Sequence, residues 1–223
     1  MRGQREFLEA RGGSMRSSSV KLDSVSKRFN RRTIFEKVSA SVNAPGSLAI
    51  TGRNGSGKST LVKILAGVLS ATEGKVSLTV DGHEIPRELL YQQVGFVSPY
   101  LMLYDEFSAA ENIRLLESMR SGRRAADTEI DSLLDMVGLA HRRNDRIGTF
   151  SSGMKQRAKY AVALIHRPAM LILDEPTSDL DAEGIAIVRG VAERQSTSGI
   201  LIVATNDSEE AGWCSQQIPL GIG

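Results

Sequence analysis

"TGRNGSGKST" (Thr51–Thr60) is the stretch on which the fold of this 223-residue chain turns. Gly52, Gly57, Lys58 and Ser59 stand at the spacing G-x-x-x-x-G-K-[ST]. The apolar run Leu48–Thr51 precedes them, and Leu61, Ile64, Leu65 and Val68 follow at helical intervals. A strand that passes through such a loop into a helix makes a phosphate cradle. The glycines let the backbone take angles closed to other residues, successive N–H groups face the phosphate oxygens, and the helix adds its positive end. Lys58 is expected to meet the β- and γ-phosphates of a nucleotide, and the Ser59 hydroxyl to ligate Mg²⁺. Arg53, Asn54, Gly55, Ser56 and Thr60 complete the loop and are expected to bind the nucleotide with it.

Outward from the loop, Val20–Phe29 and Arg32–Val42 alternate apolar and polar residues around the polar turn "NRR", the pattern of a β-hairpin. "GKVSLTVDGHEI" (Gly74–Ile85) and "YQQVGFV" (Tyr91–Val97) predict further strands. Ser108–Leu139 is helical by period, with breaks near Gly122 and Gly138. After Ser152 the pattern alternates: helix (Ser152–His166), buried strand (Ala169–Glu175), helix (Ala182–Gln195), buried strand (Gly199–Thr205). That alternation predicts an α/β chain with a mostly parallel core sheet, preceded by antiparallel β structure and interrupted by a helical insertion at about 98–150.

A hydrophobic content of 41% suffices for one large α/β core, and a single domain over 19–223 is expected. No apolar run approaches the roughly 18 residues that a membrane-spanning helix needs. The segment "MRGQREFLEARGGSMRSSS" has charges but no apolar stretch of a secretory signal, so a cytoplasmic chain is expected; Met15 offers an alternative start. Cys214, the one cysteine, excludes an intrachain disulfide and reads as a small core residue. Net charge is +2, yet residues 1–32 hold nine Lys/Arg against three Asp/Glu, so 1–18 is expected to be a basic, poorly ordered tail. With 5% aromatic residues and no basic patch interleaved with them, nucleic acid is not an expected partner.

Phosphate loops serve several chemistries, and a second site must decide among them. In "AMLILDEPTSDLD" (Ala169–Asp181) an apolar strand delivers Asp174 and Glu175 to its carboxyl end, where ligands of parallel sheets bind. Asp174 suits Mg²⁺, and Glu175 can take a proton from an attacking water or orient it. A guanine reader of the form N-K-x-D is excluded, because no asparagine here is followed by lysine.

With these motifs in this order, the chain resembles the ATP-binding cassette family, specifically the nucleotide-binding subunits of ABC transporters, from about Val20 to Leu220. The resemblance implies a P-loop NTPase core with an inserted helical subdomain. Phe29 stands where that family stacks a ring on adenine; as an isolated aromatic it would be core packing. "FSSGMKQR" (Phe150–Arg157) is similar to the family's L-S-G-G-Q signature and retains Ser151 and Gly153. Read without the family, it is an ordinary helix N-cap. The resemblance implies that Ser151 and Gly153 address nucleotide held by an opposite subunit, with Ser151, Ser152 and Gly153 in the dimer interface. Ser178 and Asp181, in the loop after the acidic pair, would line the same dimer interface. A homodimer, an integral membrane permease on a separate chain, and a place on the inner face of the cell membrane follow from it, with export favoured over import and a likeness to heme-exporter ATPases.

Two positions depart from the family pattern. Where the family carries a glutamine that links Mg²⁺ to the helical subdomain, "VGFVSPYLML" (Val94–Leu103) has Ser98 and Pro99. Where it carries a catalytic histidine after the last core strand, "VATND" (Val203–Asp207) has Asn206. An amide donates to phosphate or water but carries neither proton nor positive charge. Asn206 is thus expected either to touch the phosphate or, with Glu209 three residues on, to serve only as a helix N-cap. Slow hydrolysis is the expectation; the alternatives are a soluble cassette ATPase outside transport and a non-hydrolytic ATP switch.

Overall fold

The computed structural model describes residues 17–221. The expected basic tail lies outside these residues up to position 16, and Ser18 already belongs to the first strand. The hairpin is β1 (Ser18–Phe29) and β2 (Arg32–Asn43), antiparallel through pairs such as Val20 with Val42 and Phe29 with Arg32. Apolar residues face one side of it: Val20, Leu22 and Val25 are fully buried while Lys21, Asp23 and Ser24 are exposed. β4 (Glu73–Val80) and β5 (His83–Glu84) complete a four-stranded antiparallel sheet in the order β2-β1-β4-β5.

The second sheet holds β3 (Gly46–Thr51), β6 (Val94–Val97), β7 (Met170–Asp174), β8 (Ile200–Thr205) and β9 (Gln216–Pro219) in the order β6-β7-β8-β3-β9, every pair parallel. β7 and β8 are buried along their whole length, as strands covered on both faces must be. Their side chains alternate between two cores. Leu171, Leu173, Leu201 and Val203 face the helices α4 (Ser152–Leu164) and α5 (Ala182–Ser198). Met170, Ile172, Ile200 and Ile202 face α1 (Lys58–Leu65) and the antiparallel sheet. The insertion contributes α2 (Ala109–Ser121) and α3 (Asp127–Met136). Ser108 and Glu111 open α2 with a reciprocal capping box, and Gly122 ends it at φ 69°.

Two expectations shift. The strand predicted from Tyr91 begins at Val94, because Pro86 holds an extended conformation and launches a 3₁₀ helix over Arg87–Gln92 instead. β9 was not expected from the sequence: four residues at a sheet edge, ending in a proline, carry too short a pattern to show a period.

Candidate functional site

Parallel register brings three carboxyl ends together. Thr51 of β3 lies beside Thr205 of β8, and Asp174 of β7 beside Ala204, so the segments that follow all emerge on one edge. Between β3 and α1 the chain turns at Gly57, whose φ of 102° is open to glycine and strained for other residues. A Cβ there would sit 2.6 Å from Ile34 Cγ2. Among the described residues no side chain caps α1 and no acidic group stands in its first turn, which leaves its leading N–H groups for an anion. Lys58, 5% exposed, folds over the loop and donates from Nζ to the carbonyls of Gly52 (2.8 Å) and Arg53 (3.2 Å).

Asp174 is buried at the end of β7, and its Oδ1 accepts the Ser59 hydroxyl at 3.1 Å. Oδ2 is buried with no hydrogen-bond partner among the described residues. Burial pushes this carboxyl above its ordinary range; the Ser59 hydrogen bond opposes the shift and the charge of Glu175 adds to it. An unpartnered buried carboxylate oxygen beside a serine hydroxyl is a donor set that fits a hard divalent cation. Glu175 follows at φ 50°, half-buried, with its N–H donating to the Ala204 carbonyl at 2.9 Å. A glutamate held in the left-handed region is a strained position of the kind found where geometry serves chemistry.

The segment after β8 answers the question about Asn206. The N-cap of the short helix α6 (Ser208–Ala211) is Asp207, whose Oδ1 accepts the N–H of Glu209 (2.6 Å) and Glu210 (3.4 Å). The capping box of Asn206 with Glu209 is therefore absent. The register explains it: β8 runs through Thr205, so Asn206 occupies the turn and the cap falls one residue later. Asn206 instead donates from Nδ2 to Asn54 Oδ1 of the phosphate loop at 3.1 Å, across 152 residues of sequence.

Phe29 is 45% exposed, which removes the core-packing alternative; the Lys27 ammonium lies 4.7 Å from its ring centre. Ser151 is the exposed N-cap of α4 and accepts the Met154 N–H at 3.2 Å. Ser152 is exposed and Gly153 half-buried, close to the Asp179 carbonyl. Among the described residues no hydrogen bond or ion pair joins Ser151–Gly153 to the phosphate loop of the same chain. Ser178 donates its N–H to the Glu175 carbonyl (3.3 Å), and exposed Asp181 caps α5 by accepting the Gly184 N–H at 2.8 Å. At the glutamine position of the family, Ser98 is buried and the Lys159 ammonium donates to the Ser98 and Pro99 carbonyls at 3.4 and 3.1 Å. Lys159 is pulled below its usual range by burial, against the charge of Asp179. Cys214 is half-buried, its thiol pushed up to about 12 by burial.

Sequence reasoning missed Thr177, Thr205 and Glu210, which are joined by hydrogen bonds at the Glu210 carboxylate, Thr177 two residues after Glu175 and Thr205 just before Asn206. Nothing in "NDSEEA" separates Glu210 from Glu209; only the fold points one inward.

The family model described as ABC transporter matches residues 35–178. The chain is 35% identical over 187 residues to the lantibiotic transport ATP-binding protein SrtF of Streptococcus pyogenes, covering 84% of this chain and 79% of that one. It is 34% identical over 198 residues to the hemin import ATP-binding protein HmuV of Bradyrhizobium diazoefficiens, covering 84% and 73%. Its fold superposes on the dimeric post-hydrolysis structure of the ATP-binding cassette MJ0796 bound to ADP and Pi with a TM-score of 0.78, at 24% identity over 91% of this chain and 94% of that one.

Proposed function

This chain belongs to the ABC transporter family and is an ATP-binding ATPase of that family, and from that premise we propose that it powers a membrane permease carried on a separate chain. The observation that carries the reading is the meeting of three segments at one sheet edge. There Ser59 touches Asp174, Asn206 touches Asn54, and Glu175 stands next to both strands. Phosphoryl transfer is mostly positioning and charge stabilisation, and these residues divide that work. The loop from Gly52 to Thr60 cradles the phosphates with its N–H groups, and Lys58 exchanges its two carbonyl partners for phosphate oxygens. Ser59 and Asp174 would hold Mg²⁺, which when bound offsets charge on the phosphate oxygens. Glu175 orients the attacking water or accepts its proton. Asn206 donates an N–H to the γ-phosphate in place of a protonatable side chain, so turnover is slow. Phe29, exposed at the end of β1, is placed to stack on the adenine.

The same proposal assigns the other surfaces. No helix among the described residues is long and apolar enough to cross a membrane. A cluster of exposed apolar side chains between β6 and α2, including Tyr100 (73%) and Met102 (82%), offers a permease a docking face, which would hold the chain at the cytoplasmic face of the membrane. The exposed start of α4 at Ser151, with Gly153 close to the Asp179 carbonyl in the loop of Ser178 and Asp181, supports a head-to-tail homodimer in which each ATP is shared by two chains. Export is proposed on the Ser-Ser-Gly signature; the ATP chemistry itself serves either direction. Glu175→Gln is the test. It is expected to lower ATP turnover by about 100-fold or more while ATP-dependent dimers persist in size-exclusion chromatography. Turnover equal to that of the unmodified chain would refute the role of Glu175.

A further inference from the structure

Glu210 lies in α6 with 5% of its surface exposed, and no step of the proposed hydrolysis uses it. A carboxylate is costly to bury unless its oxygens are filled, and here they are filled from the two loops that carry the reacting groups. Oε1 accepts the backbone N–H of Thr177 at 3.1 Å and also the Thr177 hydroxyl. Oε2 accepts the Thr205 hydroxyl, whose oxygen in turn accepts the Asp207 N–H at 2.9 Å. Thr177 stands two residues after Glu175, and Thr205 immediately before Asn206. The first loop is anchored again from below, where fully buried Tyr160 of α4 donates its hydroxyl to the Pro176 carbonyl at 2.8 Å.

We propose that Glu210 is a positioning residue for ATP hydrolysis, its buried carboxylate clamping the Glu175 loop to the Asn206 loop so that the two side chains keep a fixed spacing at the γ-phosphate. The clamp explains two otherwise separate features. Glu175 keeps a left-handed backbone because the turn after it is tied down at Thr177, and Asn206 reaches the phosphate loop because the residues on both sides of it, Thr205 and Asp207, are hydrogen-bonded together. α4, which opens at Ser151, joins the same network nine residues later through Tyr160. Threonine hydroxyls and a backbone amide can meet a glutamate on both oxygens at once; a shorter side chain cannot reach both loops.

The inference rests on Glu175 and Asn206 acting at one phosphate, as proposed above. Kinetics with Mg-ATP on the purified full chain, together with amide hydrogen exchange, separate the two. Glu210→Ala is expected to lower kcat by roughly 10- to 100-fold with KM for ATP nearly unchanged, the signature of lost alignment rather than lost binding. Glu210→Gln, whose amide oxygen still accepts both Thr177 donors and whose NH₂ can donate to the Thr205 hydroxyl oxygen, keeps both loops tied and is expected to recover most of that loss. The Thr177 and Asp207 amides are expected to exchange faster in Glu210→Ala. A folded Glu210→Ala protein with unchanged kcat, a parallel change in kcat and KM, or a glutamine variant as impaired as alanine would overturn the proposal. If Glu210→Ala does not fold, Thr205→Val, which removes the donor to Oε2 and the acceptor of the Asp207 N–H but leaves the carboxylate on Thr177, takes its place with the same expectation for kcat and the same refutation. Should the unmodified chain show no more turnover than Glu175→Gln, the hydrolysis reading fails and the exchange measurement alone decides the clamp: retained protection at Thr177 and Asp207 sinks it.

Discussion

The phosphate loop and the segment after β8 meet at the same end of the parallel sheet, yet they are built in opposite ways. The phosphate loop is shaped by its own backbone. Glycines take the left-handed turns, Ser56 N–H donates to the Arg53 carbonyl at 3.1 Å, and even Lys58 is held by carbonyls five and six residues back. The segment from Thr205 to Glu210 is shaped by side chains: Thr205 and Asp207 bond within it, while Glu210 and Asn206 answer residues 33 and 152 positions away. A backbone-built loop needs particular residue types at particular spacings. A side-chain-built loop needs only partners, and the topology supplies them.

The sharpest way to break this contrast is at Asp174, where both construction styles meet. Asp174→Asn keeps the shape and an acceptor for Ser59 but removes the charge, and is expected to lower turnover by roughly 100- to 1,000-fold. Its effect on stability should have the opposite sign. The folded-state pKa of Asp174 is raised above its ordinary 3.8, chiefly by burial, so the folded chain binds this proton more tightly than the unfolded chain. Stability from this group is therefore full below the unfolded pKa, is lost as pH rises through the raised value, and stays lost at pH 7. Without nucleotide, Asp174→Asn should melt at a higher temperature than the unmodified chain at pH 7, and the difference should shrink toward pH 4. A lower melting temperature at pH 7 would mean that the carboxylate stabilises the empty site.

Next in size is Gly57→Ala. At φ 102°, with a Cβ forced to 2.6 Å from Ile34 Cγ2 and 3.0 Å from Phe35, the substitution is expected to cost about 2–3 kcal/mol in denaturant unfolding. ATP affinity should fall with the loop geometry, by roughly 10- to 100-fold. Gly55→Ala is the control: its φ is 81°, but its Cβ would meet no atom within 4 Å, so only the backbone strain of about 1 kcal/mol is expected. Equal costs at the two positions would show that the turn angle alone, rather than packing against β2, fixes the loop.

The same contrast explains what the sequence made legible. The hairpin, β3 with its loop and helix, and the buried strands β7 and β8 all carry short-range patterns, and their bounds lie within a few residues of those expected from period and composition. Asp174 and Glu175 were readable because an apolar strand ends on them. The cap at Asp207 was misplaced because Asn206 and Asp207 have equal capping chemistry, and only the register of Thr205 with Thr51 decides between them. Glu210 was illegible for the reason that makes it interesting: it ties Thr205, five residues back, to Thr177 of another loop, 33 residues away and beyond any window of periodicity.

The smallest expected effect tests what Asn206 does in that setting. Asn206→His is expected to raise turnover by several-fold, since a ring nitrogen can donate to the γ-phosphate and carry the charge that an amide cannot. Asn54→Ala removes the acceptor that holds Asn206 across the phosphate loop. A single exposed hydrogen bond contributes about 0.5–1 kcal/mol, so a change in turnover of no more than about fivefold is expected. The two belong in one double-mutant cycle. If Asn54 acts only by holding the Asn206 amide, Asn54→Ala should have no effect once residue 206 is histidine, and the cycle should show a coupling equal to the single effect. Additive effects would instead mean that Asn54 and Asn206 meet the nucleotide separately, and that their contact is an accident of two loops sharing one sheet edge.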